Sequence, residues 1–166
     1  SLWPMRGFIT SGFGPRRSPF GRRADFHNGV DIKAPYGSPI HAPGAGRVTD
    51  VDYQGGYGLR VVIAHDYGIS TLYGHLKSAA VAPGQEVRRG QLIDHSGNSG
   101  RTTGTHLHYE VLVNNEFVNP MTITVPRGLQ LSGRELAAFH KERRRIETLM
   151  QMDPVTSRVA QANTAQ

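Results

Sequence analysis

The stretch THLHYE, residues 105–110, sets histidines at 106 and 108 inside a run that alternates like a β-strand. Residues two apart on a strand face the same way, about 6–7 Å apart along it. His106, His108 and Glu110 therefore share one face, and Leu107, Tyr109, Val111 and Val113 share the other, which is apolar. Imidazoles gathered in this way can ligate a metal or carry protons, because their unperturbed pKa of about 6.5 lies near neutral pH. A second cluster, FHNGVDIKAP, places His27 four residues before Asp31, a spacing that puts both on one face of a strand or of a helical turn. Zinc takes imidazole nitrogen and carboxylate oxygen, and a catalytic zinc uses three protein ligands. His27, Asp31 and one of the pair His106 and His108 would make up such a set. In a third cluster, TLYGHL, His75 ends a β-rich run. With that run alongside residues 106–110, His75 faces the same place and adds a ring for proton transfer. Taken singly, each cluster is also what ordinary exposed polar residues produce.

Positioning these side chains is work for strands. The chain has 166 residues, enough for one domain with a core and an appendage. Twenty glycines and ten prolines suit a turn-rich, strand-dominated fold better than a helical bundle. GRVTDVDY, LRVVIAH, ISTLYGHL, QEVRRGQLI and THLHYEVLV read as strands, and LRVVIAH–DYG–ISTLYGH as a hairpin closed by three residues ending in glycine. VNNEFV predicts a tight turn through Asn114 and Asn115. Residues 1–40 read as irregular or extended, and SGFGPRRSPFGRR (11–23) as a surface loop. After Pro126, Ser132 and Glu135 form a capping box, and Leu136, Phe139, Ile146 and Met150 recur at helical spacing. This predicts a helix over about 133–151 that packs one narrow face on the sheet and leaves KERRR in water, followed by a mobile tail at 153–166. The expected fold is mostly β: an antiparallel sheet core, open-barrel or sandwich-like, with a C-terminal α-helix. The expected division is a basic N-terminal segment (1–26), a core (27–126), a helical extension (127–152) and the tail (153–166).

Composition narrows the chemistry further. Without cysteine there is no disulfide and no thiolate metal site, so any metal must use His, Asp or Glu. No run of about 18 apolar residues occurs, and a chain opening on Ser1 reads as a processed or excised piece of something longer. The net charge of +6 sits at the ends: residues 1–26 carry five arginines against Asp25, and residues 121–166 seven basic against four acidic side chains. Residues 27–120 balance seven basic against eight acidic groups. Basic ends favour approach to a polyanion, but nothing here interleaves cations with stacking aromatics, so no nucleic-acid partner is expected. SGNSGRTTG lacks the Lys-Ser/Thr of a phosphate loop and reads as a loop wall. A carrier-domain reading of PGQEVRRGQLI fails for want of a hairpin lysine.

In order along the chain, HNGVD, GGYG, YGHL, APGQEVRRGQLI, SGNSGRTTGTHLH and THLHYEV resemble the lysostaphin/LytM-type zinc metallopeptidases that cut peptidoglycan cross-bridges. The resemblance covers roughly residues 8–121 and is nearest to the cell-envelope murein endopeptidases of Gram-negative bacteria. It implies one zinc per chain held by His27, Asp31 and His108, with His75 and His106 serving catalysis. It further implies a groove floored by the sheet and a zinc-activated water that hydrolyses peptidoglycan cross-links, D-alanyl to meso-diaminopimelate first and oligoglycine second. A periplasmic or cell-envelope location, a membrane-anchored N-terminal region outside this chain and a protein regulator follow as expectations. Glu110 is a candidate to orient an imidazole, and Tyr73, two residues before His75, a candidate to line the groove. The alternative is a non-catalytic relative that binds the wall and regulates other hydrolases.

Overall fold

The computed structural model describes residues 3–21, 23–123, 137–138, 141–146 and 148. The chain divides into two units, Ser1–Val125 and Pro126–Gln166. In the first, β1 (Phe8–Ser11), β2 (Gly14–Arg17), β3 (Ala24–His27) and β4 (Val30–Lys33) arise from the stretch that reads as irregular or extended. They are followed by β5 (Pro39–His41), β6 (Gly46–Gln54), β7 (Gly58–Ala64), β8 (Ile69–Gly74) and β9 (Leu76–Ala79). The set closes with β10 (Glu86–Val87), β11 (Leu92–Ser96), β12 (His106–Val113) and β13 (Glu116–Val118). An eight-stranded sheet runs β1-β4-β12-β8-β7-β6-β10, with β13 also paired to β12, and all of its pairings are antiparallel. A three-stranded sheet, β5-β11-β9, and the ribbon β2-β3 complete the unit.

Local chemistry accounts for the turns. The β7–β8 hairpin closes through Asp66–Gly68, where Tyr67 and Gly68 take left-handed backbone at φ 62° and 68°. Asn114 and Asn115, at φ 52° and 68°, make the β12–β13 turn, a conformation asparagine tolerates better than most residues. The reading of residues 11–23 as a plain loop is corrected: Gly14 pairs with His27 and Arg17 with Ala24. A ribbon of two strands has open edges and no central position, which is where Pro15 can be accommodated.

The core lies between the two sheets. Val30 and Ile32 of β4, Val61 and Ile63 of β7, Tyr73 of β8 and Leu107 of β12 pack with Ile40 of β5, Leu76 of β9 and Ile93 of β11. Alternation then forces the intervening residues of β4 and β12, Asp31 and His108 among them, onto the opposite face. β12 is flanked on both sides, its His108 lying opposite Asp31 on β4 and Gly74 on β8. The floor of the groove is thus the middle of the large sheet.

In the second unit, residues 137–138, 141–146 and 148 are helical and exposed. Ser132, Glu135, Leu136, Phe139 and Met150, and the expected tail, lie outside the described residues.

Candidate metal centre

Register brings two of the expected residues together directly. His108 and Asp31 are cross-strand partners, and His27 enters from the end of β3. His27 Nε2, Asp31 Oδ1 and His108 Nδ1 form a triangle with edges of 3.1 Å (His27 to Asp31), 3.1 Å (His27 to His108) and 2.9 Å (His108 to Asp31). Among the described residues these three are the group able to hold a metal ion. Zinc bonded tetrahedrally at about 2.0–2.2 Å separates its ligand atoms by about 3.3–3.5 Å, close to this triangle.

The hydrogen bonds behind the rings fix which nitrogens are bare. His27 Nδ1 stands 2.8 Å from the Gly12 carbonyl, which can only accept, so the proton is on Nδ1 and Nε2 presents a lone pair. His108 Nε2 donates to Glu110 Oε1 at 2.9 Å, so in the neutral ring its Nδ1 is bare as well. Two lone pairs and a carboxylate oxygen therefore face one point, an arrangement that repels itself unless a cation lies among them. The donor set fits a divalent metal, and the carboxylate behind His108 is the outer support such ligands use.

Without a cation, a proton between these atoms relieves the same repulsion. Burial would raise the Asp31 carboxyl, yet hydrogen bonds from His108 and His27 hold it well below the usual carboxylate range. Burial disfavours charge on His108, but its bonds to Asp31 and Glu110 outweigh that and lift it to about 9. Asp31 Oδ2, turned away from the triangle, accepts from Arg16 Nη1 at 3.2 Å. Arg16 also donates to Ser11 Oγ at 2.8 Å and lies 3.6 Å from Asp25 Oδ2.

The two remaining histidines stand beside the triangle. His75 and His106 have ring centroids 4.7 Å apart, and His75 lies 5.9 Å from His108. His75 Nδ1 donates to the Ser99 carbonyl at 2.8 Å, and His106 Nδ1 to the Gly104 carbonyl at 2.7 Å, so both keep Nε2 free. His106 Nε2 is 3.6 Å from Asp31 Oδ1. Burial pushes His75 down to about 4, against the pull of the Ser99 carbonyl.

Asp31, His75, His106 and His108 line a groove of about 950 Å³. One wall is the β2–β3 ribbon and its connecting loop; the other is the segment Arg101–His106. Ser99 and Gly100, at the root of the second wall, approach the Gly58 backbone so closely that a side chain on Gly58 or Gly100 would collide, and both glycines have left-handed φ, 69° and 73°. The walls meet where the Arg101 guanidinium sits 4.2 Å from the Phe20 ring centroid.

Tyr73 does not line the groove. It is fully buried in the core, 5.5 Å from Tyr109 ring to ring, with its hydroxyl 2.8 Å from Thr71 Oγ1. The alternation that would pair it with His75 ends at Gly74, because His75 takes left-handed backbone at φ 59° and turns its ring to the other side. Two residues that sequence reasoning passed over belong to the site instead. Tyr57 lines the groove and donates to Glu110 Oε1 at 3.0 Å, and Arg16 clamps Asp31. The GGYG motif held a signal for the first; a lone arginine in an arginine-rich run held none for the second.

Comparison with known proteins follows the same lines. Over 146 residues the chain is 40% identical to the peptidoglycan DD-endopeptidase ShyA of Vibrio cholerae, covering 86% of this chain and 33% of that protein. A solved zinc-containing peptidase from Vibrio cholerae superposes with a TM-score of 0.70 at 41% identity, over 75% of this chain and 40% of that one. The catalytic domain of lysostaphin from Staphylococcus simulans gives a TM-score of 0.63 at 28% identity, over 69% of this chain and 90% of that domain. The chain spans about a third of the length of the curated relatives it matches. The profile of peptidase family M23 matches residues 25–120, a span that takes in the triangle, both flanking histidines and the strands that carry them, and the chain belongs to that family.

Proposed function

We propose that the chain is a zinc-dependent endopeptidase that hydrolyses peptide cross-links of bacterial peptidoglycan, the D-alanyl to meso-diaminopimelate bond in particular. The observation that carries this reading is the convergence of three candidate ligand atoms within 2.9–3.1 Å, beside the rings of His75 and His106, which stand outside that group. His27, Asp31 and His108 would hold the zinc. When bound, zinc supplies Lewis acidity and makes water a nucleophile near neutral pH.

The chain's own residues do the rest. His75 and His106, each anchored through Nδ1 to a carbonyl, present Nε2 to the groove to take a proton from water and return it to the departing amine. Arg16 holds Asp31 by its outer oxygen, so the inner oxygen stays aimed at the triangle. Glu110 keeps the His108 proton on Nε2. In this reading 27–126 is the catalytic core, walled by the ribbon that 1–26 begins, with 127–152 and 153–166 as appendages. No helix among the described residues is long and apolar enough to cross a membrane. Because peptidoglycan lies outside the cytoplasm, we assign the chain to the periplasm or cell envelope, with a membrane-anchored region and a protein regulator as its further partners.

His75→Ala and His106→Ala test the reading on purified cross-linked muropeptides with bound zinc measured in parallel. Each is expected to lose about 10²–10⁴-fold in kcat while keeping its metal. Near-normal rates with zinc retained would overturn the roles of these rings. A chain that binds wall material but neither zinc nor turns over would favour the regulatory alternative.

A further inference from the structure

The arginine-rich N-terminal segment has a place in the fold that neither its composition nor the metal centre explains. Arg16, Arg17 and Arg23 all line the groove, joined by Lys33 of β4 and Arg101 of the opposite wall. Two acids share that lining, Asp25 and Asp31, and Arg16 reaches both, at 3.6 and 3.2 Å. Among the described residues, Arg17, Arg23, Lys33 and Arg101 have no acidic partner. Three of the four are also placed with some precision. Lys33 follows Asp31 by two residues on the same strand face and lies opposite His106 in the β4–β12 register. Arg17 is fixed in the ribbon opposite Ala24. Arg101 is stacked over Phe20, which restrains its guanidinium without neutralising it.

We infer that Arg17, Arg23, Lys33 and Arg101 form an anion subsite that receives the free carboxylate next to the scissile amide. This rests on the endopeptidase reading and deepens it. When an amine on a diaminopimelate-type residue is acylated by D-alanine, the carbon that bears the nitrogen also bears a carboxylate, only two bonds from it. An oligoglycine bridge offers no such charge within its run. Unpaired cations around the metal triangle therefore favour the first kind of cross-link over the second, and favour it most where the carboxylate is not amidated. The subsite acts on binding and orientation, not on the proton transfers.

The test uses the 166-residue chain loaded with zinc and two muropeptide dimers that differ only in whether the carboxylate next to the scissile amide is free or a carboxamide. Amidation is expected to lower kcat/KM about tenfold, mainly through KM, since a charge-assisted contact of this kind contributes about that factor. In the triple variant Arg17→Gln, Lys33→Gln, Arg101→Gln the ratio between the two substrates is expected to shrink to within about twofold. Equal kcat/KM for both dimers in the parent chain, or undiminished discrimination in the triple variant, would overturn the subsite. Should neither dimer be cleaved, the endopeptidase reading is what fails. The subsite is then decided by backbone amide shifts at Lys33 and Arg101 on titrating D-alanyl-diaminopimelate and its carboxamide: a response confined to the acid supports it, and matching or absent responses overturn it.

Discussion

His108 meets a carboxylate at each ring nitrogen, Asp31 at 2.9 Å and Glu110 at 2.9 Å, and the Glu110 contact is the one that keeps a proton on Nε2. Glu110 is 1% exposed, and its second oxygen has no hydrogen-bond partner, so its charge is directed almost wholly at His108 and the Tyr57 hydroxyl. Glu110→Gln preserves the shape but removes the charge that makes the imidazole a stronger ligand. We expect zinc affinity to fall about 10–100-fold, measured by competition with a chelating dye, with the far-ultraviolet circular dichroism unaltered. Equal affinity would mean that the ring is held by other contacts. The candidate ligands were partly legible because their logic is short-range: His27 and Asp31 lie four apart and His106 and His108 two apart on a strand, while the choice of His108 came with the family resemblance. Tyr73 was misplaced because periodicity says nothing of the left-handed residue at 75 that interrupts it. Arg16 and Tyr57 reach the site only through tertiary closure, across 15 residues to Asp31 and 53 to Glu110.

Among the elements, β4 and β12 matter most, since their register alone sets Asp31 against His108. That register depends on how closely the chain can pass just before β4. Gly29 sits so near the Tyr109 carbonyl and the Glu110 side chain that a Cβ there would collide with both. Gly29→Ala is expected to destabilise the fold by about 1–3 kcal/mol and to weaken zinc binding with it, read by urea unfolding and by metal titration. A stable variant with normal metal affinity would show that the backbone can shift without disturbing the register. The hairpin β7–β8 and the Asn114–Asn115 turn were readable because glycine and asparagine name the backbone conformations they adopt. The ribbon β2–β3 was not, because its pairing is long on arginine and glycine and short on the apolar alternation by which strands are found. Its partner is a neighbour in sequence, yet neither strand has a core face to advertise.

Across the whole molecule, one buried carboxylate stands apart from the groove. Asp94 on β11 is fully buried; its Oδ1 accepts from the backbone of His95 and of Ser78, and its Oδ2 has no partner. Burial pushes its pKa up from 3.8 to about 6, against those hydrogen bonds. Between those values the folded chain holds a proton that the unfolded chain has lost, so this group's contribution to stability falls as pH rises from about 4 to 6 and stays low above that. Asp94→Asn does not titrate. The stability of the variant relative to the parent is expected to rise by about 2–3 kcal/mol between pH 4 and pH 7, followed by urea unfolding at four pH values. A constant difference would show that Asp94 ionises alike in both states. Finally, the triangle joins residues 27, 31 and 108, segments some 80 positions apart that meet only when β12 slots between β4 and β8. No short piece of the polypeptide carries the triangle, and a nascent or threading chain, whatever metal surrounds it, has no such site to load. On the proposed reading, folding is itself the safety catch on a hydrolase whose target would enclose the cell that makes it.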